Sequence, residues 1–446
     1  MIQTGLISNA HSDLVTDASY DFYGLRLATC SLDQRVKVWQ LDETTGSWSL
    51  EHDWKAHDAA ISKVSWAHPE FGTILATASF DRTVKVWEQV SAAAPDADGG
   101  ASSSASASRW AERAMLVDAK GTVRAVEFAP SHFGLKLATI SSDNCLRIYE
   151  CLEQPSLAAW QLIEEVDVLS LPISASPAAR SVAQTLSLAT PTQTASAPLD
   201  SASVSLVAHA LQQQAAQNQN QLPGRPGLGT READGGWSIS WCKDKYWGEI
   251  IAAGCGIDGI VKIIQVTPSR RPSSLLSLNP APASSAPSAS DPSIKSPAAA
   301  THGSSGAGSG DGWTGAKTCA VTSIAWAPSC GRSYHLVATG ARDGHVRIWR
   351  VKPPTPSEDL DAGAEEGDGA QWTASIVGDF DDHKSAVGRV EWNITGTVLS
   401  SAGNDGRVRL WKMTAGNVWR PAGHISVEQA EEQQGDVDMG DVAVDD

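Results

Sequence analysis

The chain has 446 residues, 41% hydrophobic and 19% charged, with a formal net charge of −17 at pH 7 and a pI near 5.0. That acidity argues against direct nucleic-acid binding, which needs clustered Lys and Arg to neutralise phosphates. No run approaches the roughly 18 apolar residues of a membrane-spanning helix, so no membrane insertion is expected, and Met1 to Leu14 lacks a charged segment followed by an apolar core, so no signal peptide is expected.

The seven cysteines (Cys30, Cys145, Cys151, Cys242, Cys255, Cys319 and Cys330) form no CxxC pair and no zinc spacing. Neither a metal site nor a disulfide framework is expected, which fits a reducing cytosolic or nuclear compartment. The 17 tryptophans outnumber Tyr and Phe together. They avoid the Ala/Ser/Pro-rich stretches and concentrate where a core has to be built.

In chain order, one four-run unit recurs. The first unit starts at His11, carries Tyr20 in its first run, turns at Ser31 and Asp33, and continues as Val36-Lys37-Val38-Trp39, with Trp48 in a fourth run. The second repeats this with His57, Trp66, Ile74-Leu75-Ala76, Ser79, Asp81, Val84-Lys85-Val86-Trp87 and Trp110. The third has Phe128, Leu137-Ala138-Thr139, Ser141, Asp143, Leu146-Arg147-Ile148-Tyr149 and Trp160. The fourth has Trp241, Gly256, Asp258 and Val261-Lys262-Ile263-Ile264, where Ile stands for the aromatic. The fifth has Trp326, Ala341, Asp343, Val346-Arg347-Ile348-Trp349 and Trp372; the sixth has His383, Trp392, Gly403, Asp405, Val408-Arg409-Leu410-Trp411 and Trp419.

In every copy Asp precedes the last residue of the alternating run by six positions. Asp beside Gly or a polar residue forms a tight hairpin turn. The alternation after it sets aliphatic residues on one face of a strand and Lys/Arg on the other. Four short strands per unit, repeated, predict an all-β propeller of six blades.

Four biased segments, near 90–108, 172–235, 267–311 and 353–370, are too poor in aromatic residues to build a core and are expected as disordered inserts in loops. Without them and the last 22 residues, about 46 residues remain per unit, close to the usual length of a propeller repeat. The expected domain is 1–424, with blades near 11–54, 57–117, 118–170, 236–280, 312–380 and 383–424. Val204–Gln221 has helix formers on a brief apolar stripe, so a marginal helix is expected there. The segment 425–446 is expected as a disordered tail; from Glu428 it holds eight acidic residues and no basic one, and an acidic docking segment is the alternative.

Two motifs mislead. Gly254-Cys255-Gly256-Ile257-Asp258-Gly259 matches the dinucleotide fingerprint, but a β-branched run follows it where a helix is required. Asn393-Ile394-Thr395 is a formal glycosylation sequon, inert without secretion. A hydrolase reading of His57, Ser79 and Asp81 fails because similar sets recur in other units. No catalytic residue, cofactor or metal ligand is expected.

His57–Glu88 (HDAAISKVSWAHPEFGTILATASFDRTVKVWE), His383–Lys412 (HKSAVGRVEWNITGTVLSSAGNDGRVRLWK), His11–Trp39 and Val126–Glu150 resemble the Seh-type nucleoporins, sisters of the Sec-thirteen coat proteins. The phrases AHPEFG, SFDRTVKVWE and WNITGTVL carry the likeness; the fourth unit carries little of it and the inserts none. The resemblance implies WD repeats in which a His bridges the turn Asp and a strand Ser or Trp. The structural network residues are then His11, Ser31, Asp33, Trp39, His57, Ser79, Asp81, Trp87, Asp143, Asp258, Asp343, Trp349, His383, Asp405 and Trp411.

It also implies an open six-bladed ring completed in trans by a seventh blade from an α-solenoid nucleoporin of the Nup-eighty-five type, within the Y-shaped subcomplex of the nuclear pore. The function expected from the resemblance is scaffolding that supports protein and mRNA transport. A second role is implied with a solenoid subunit of a vacuolar or lysosomal complex that regulates TOR nutrient signalling. An open ring has sheet edges, which are templates for strand addition; the first-blade edge at Leu6, Ile7, Leu14 and Val15 is the expected partner contact. The alternative is a COPII-type coat propeller or another WD-repeat adaptor.

Overall fold

The computed structural model describes residues 7–91, 108–154, 156–172, 234–267, 270–280, 320–354 and 371–426. These residues form six antiparallel sheets, each of four strands consecutive in sequence. Blade 1 is β1 (Val15–Tyr20), β2 (Arg26–Ser31), β3 (Arg35–Leu41) and β4 (Trp48–Lys55). Blade 2 is β5 (Ile61–Trp66), β6 (Ile74–Ser79), β7 (Val84–Ser91) and β8 (Ser108–Leu116). Blade 3 is β9 (Val123–Phe128), β10 (Lys136–Ser141), β11 (Cys145–Cys151) and β12 (Trp160–Asp167). Blade 4 is β13 (Gly236–Trp241), β14 (Ile250–Gly256), β15 (Val261–Thr267) and β16 (Arg270–Leu278). Blade 5 is β17 (Val321–Trp326), β18 (His335–Ala341), β19 (Val346–Lys352) and β20 (Thr373–Phe380). Blade 6 is β21 (Val387–Trp392), β22 (Val398–Gly403), β23 (Arg407–Met413) and β24 (Trp419–Ser426).

The aromatic of each first run closes the innermost strand, and the alternating run after each Asp is the third strand. At all six hairpins the residue after Asp takes a positive φ: Gln34, Arg82, Asn144, Gly259, Gly344 and Gly406. Where that residue is not Gly, the left-handed conformation costs energy. The Asp carboxylate offsets the cost by accepting the backbone N–H two residues on, as from Arg35 and Thr83 at 3.0 and 2.9 Å.

Some expected boundaries move. β16 lies inside the segment expected to be the third insert, because RRPSSLLSL reads as low complexity while its Leu276 and Leu278 pair with Ile263 and Val261 and join the core. β7 and β8 reach Ser91 and Ser108 at the ends of the first insert, and β24 runs to Ser426, two residues into the expected tail. The helix expected at Val204–Gln221 lies outside the described residues. The glycine fingerprint sits on β14 and the turn to β15, with strands on both sides.

Cores form between blades. Ala28, Cys30, Val36 and Val38 of blade 1 pack against Ile61, Val64, Leu75 and Trp87 of blade 2. The same arrangement joins blades 2 and 3, 3 and 4, 4 and 5, and 5 and 6. Each fully buried aliphatic side chain in these layers contributes about 1.5–3 kcal/mol.

Candidate functional site

In blade 2, His57 is buried and held at both ring nitrogens. Nδ1–H donates to Asp81 Oδ2 at 2.9 Å, and Nε2 accepts from Thr77 Oγ1 at 2.7 Å. Trp87 Nε1–H donates to the same Thr77 oxygen at 3.0 Å. Blade 1 repeats the chain as Asp33, His11, Thr29 and Trp39 at 3.0, 2.9 and 2.9 Å. Blade 6 repeats it as Asp405, His383, Ser401 and Trp411 at 3.1, 2.8 and 2.9 Å. Burial, with the adjacent Arg409 guanidinium, holds His383 below the usual imidazole range despite Asp405.

The bridging hydroxyl is therefore Thr29, Thr77 or Ser401, and not the turn serine that the family likeness suggested for blades 1 and 2. Each stands ten residues before its Trp, a spacing visible in the sequence. Ser31 and Ser79 brace the turn: each accepts the N–H of its Asp at 3.1 Å and donates to a backbone carbonyl. His57 thus reaches Thr77 and not Ser79, and the Thr77 hydroxyl is fully buried and also holds the Trp87 indole, which leaves it no access to a substrate.

Blades 3 and 5 replace the His by Arg. Arg147, fully buried, donates to Ser141 Oγ at 2.7 Å, Asp143 Oδ2 at 2.8 Å and Glu165 Oε1 at 2.7 Å. Burial raises the Asp143 pKa, but the hydrogen bonds from Arg147 and its turn outweigh it and set the value at about 2. In blade 5, Arg347 joins Asp343 and Asp379, both at 3.3 Å, while Trp349 keeps its Thr339 partner at 3.1 Å. Blade 4 has no network: Asp258 is exposed and makes no hydrogen bond among the described residues. Its expected place in the set is a correction. With Ile264 where the Trp stands, this blade has no third-strand indole N–H to pair with a bridging hydroxyl. Asn393 of the sequon ties its own loop, its Oδ1 accepting from Thr397 and Val398 N–H at 2.8 and 3.0 Å.

Five interblade cores serve six blades; among the described residues no apolar cluster joins blade 6 to blade 1. The faces at that seam are apolar. Val15, Ala18 and Tyr20 of β1 occupy the positions of Ile61, Val64 and Trp66, and of Val387, Val390 and Trp392. Ile61 and Val387 are fully buried, whereas Val15 is 49% and Tyr20 55% exposed. Trp48, its ring tilted against Tyr20 with centroids 5.8 Å apart, is the fourth-strand Trp of this face, and Leu50 beside it is exposed. On blade 6, Ser400, Ala402, Val408 and Leu410 match Ala76, Ala78, Val84 and Val86. The latter are buried; Val408 is 37% exposed and the other three partly so.

Of the expected partner residues, Leu14 and Val15 are exposed at this seam, Ile7 is half-buried, and Leu6 lies outside the described residues. Tyr20, Trp48, Leu50, Val408 and Leu410 are the seam residues that sequence reasoning missed. Their signature is ordinary blade sequence, and only the missing neighbour marks them.

The axial channel, about 460 Å³, is lined by the innermost strands. Its charges are neutralised locally: Lys63 and Arg389 both meet the buried Asp17, and Lys243 meets Glu127. The Arg389–Asp17 pair spans the inner end of the seam, where other blade pairs use a side-chain oxygen on a neighbouring N–H, as Ser323 does with Val390 at 3.0 Å.

The WD domain, G-beta repeat family matches residues 4–40, 48–88, 311–350 and 374–412. The unmatched blades 3 and 4 are those in which the Trp–hydroxyl pair is absent. Nucleoporin SEH1 of Saccharomyces cerevisiae is 32% identical over 94% of this chain and 99% of its own length. Nucleoporin seh1 of Schizosaccharomyces pombe is 29% identical over 97% and 99%, and nucleoporin SEH1 of Homo sapiens 33% identical over 94% and 86%.

Proposed function

Because the chain belongs to the SEH1 nucleoporin family of WD-repeat propellers, we propose that it is a non-catalytic scaffold subunit of the nuclear pore that holds a partner in its seam. One observation carries the reading: Val15 and Tyr20 on one side of the seam and Val408 on the other are apolar and exposed, although Ile61, Val387 and Val84, which match Val15 and Val408 in other blades, are buried. A partner sheet placed there as a seventh blade packs one face on blade 6 and the other on blade 1 and supplies the two missing interblade cores. The partner is an α-solenoid nucleoporin of the Nup-eighty-five type within the Y-shaped subcomplex, and the assembly supports protein and mRNA transport. The same seam serves a solenoid subunit of a vacuolar or lysosomal complex acting on TOR signalling.

Binding to the folded form alone stabilises it, so co-expression with the solenoid raises the yield and melting temperature of the propeller. Affinity purification of the full chain, with identification of co-purifying subunits, tests the proposal. Pore scaffold subunits lost from a Tyr20→Ser/Val408→Asp variant support it; coat subunits alone, or unchanged capture by the variant, overturn it.

A further inference from the structure

Three of the hairpin turns carry Asp followed by Gly: Asp258-Gly259 in blade 4, Asp343-Gly344 in blade 5 and Asp405-Gly406 in blade 6. Such a pair is chemically labile, because glycine has no Cβ to shield its backbone nitrogen from the carboxyl carbon of the Asp before it. By sequence the three are alike; by structure they are not.

Five blades share three turn bonds. The N–H before the Asp donates to the segment leading into the blade, as Arg342 does to Ala320 O and Asn404 to Ala386 O, both at 2.9 Å. The N–H after the Asp closes the turn, as Gly344 does on Ala341 O at 3.1 Å and Gly406 on Gly403 O at 3.2 Å. The Asp carboxylate accepts the N–H two residues on, as from His345 at 3.0 Å and Arg407 at 3.2 Å. Among the described residues, blade 4 makes none of the three. Gly259 is buried but its nitrogen is not tied, and the Asp258 carboxyl is exposed with no hydrogen bond.

The other two carboxyls are held. Asp343 also takes Arg347 at 3.3 Å, and Asp405 takes Arg409 at 2.8 Å and His383 at 3.1 Å. Ring closure needs the neutral carboxyl. Burial raises both pKa values, but the hydrogen bonds and charges of these partners outweigh it: Asp343 lies below the ordinary carboxylate range and Asp405 at about 2. Gly344 is moreover packed on the His383 carbonyl, 2.3 Å from where a Cβ would stand.

We infer that Asp258–Gly259 is a site of spontaneous isoaspartate formation, and that the turn bonds of blades 5 and 6 protect the two equivalent pairs. The Gly259 nitrogen attacks Cγ of the neutral Asp258 carboxyl. The N–Cγ bond forms, the Cγ–OH bond breaks, and the hydroxyl leaves as water with the amide proton. Water then opens the five-membered imide at either carbonyl. Addition at Cγ restores Asp; addition at the main-chain carbonyl breaks its bond to nitrogen and leaves the chain running through Cβ and Cγ. The product has the original mass and one more methylene in the turn between β14 and β15. Blades 1 and 6 flank the seam, so this chemistry on blade 4 is independent of any partner held there.

The test holds the folded full-length chain at 37 °C and pH 7.4 over weeks. Tryptic peptides are then separated by chromatography, and electron-transfer fragmentation identifies isoaspartate at each site. Asp258 is expected to convert about tenfold faster than Asp343 or Asp405, whose turns must first break hydrogen bonds. In 6 M guanidinium chloride, where no turn survives, the three rates should converge. Asp258→Glu, which would need a larger ring, should abolish the signal at that peptide and leave the other two unchanged. Comparable rates at the three sites in the folded chain overturn the inference. So does a preference for Asp258 that persists in denaturant, which would trace it to flanking residues, or a signal that survives Asp258→Glu.

Discussion

Replacing Thr77 by Val tests the blade network with almost no change of shape. Thr77 is fully buried, and its hydroxyl serves both the Trp87 indole and the His57 imidazole. The substitution leaves Trp87 Nε1–H without an acceptor and His57 Nε2 without a donor, while the added methyl group occupies the hydroxyl's volume. Each buried unpaired group costs about 1–3 kcal/mol, so the loss is about 2–6 kcal/mol. Asp258→Ala in blade 4 is the control: it removes an exposed turn Asp that makes no hydrogen bond among the described residues, and a change within about 0.5 kcal/mol is expected. Urea unfolding followed by Trp fluorescence measures both. A Thr77→Val loss below about 1 kcal/mol, or no larger than that of Asp258→Ala, would refute the claim that the shared hydroxyl is structural.

Arg147→Met should cost about 3–5 kcal/mol in the same assay, because Asp143 keeps its charge beside an apolar side chain. Asp143 and Asp405 both titrate at about 2, below the ordinary 3.8; their contribution is complete above pH 3.8 and is lost as pH falls toward 2. Melting temperature should therefore drop between pH 4 and pH 2, and Asp143→Asn should shallow that drop. Gly340→Ala should cost about 1–3 kcal/mol, since a Cβ there would come within 2.6 Å of Val387 in the core between blades 5 and 6; an unchanged unfolding midpoint would contradict this packing. Burial pushes the thiols of Cys30, Cys242 and Cys255 up to about 12, whereas Cys330 is exposed; mass spectrometry after brief alkylation at pH 8 should find Cys330 modified and those three intact.

What the sequence determined by itself was local. An Asp at fixed distance from an aromatic, with alternating residues between, sets a turn and the strand after it, and six copies set the number of blades. Those signals are legible because hairpin register depends on neighbours a few residues apart. The strand β16 fell both in the expected fourth blade, near 236–280, and in the expected insert, near 267–311, for the complementary reason: its alternation is brief and its residues are mostly Ser and Arg, so only docking on β15 fixes it. Tertiary structure alone decided that Thr29, Thr77 and Ser401, rather than the turn serines, bridge His to Trp, because the choice depends on which hydroxyl the diagonal across two strands places beneath the indole. It also decided that Arg147 fills a His position from another strand. The seam is the clearest case. Val15 and Ile61, or Val408 and Val84, are equivalent in sequence, yet one of each pair is buried and the other open. Burial between blades depends on whether a neighbouring sheet is present, and no residue records that in its own pattern.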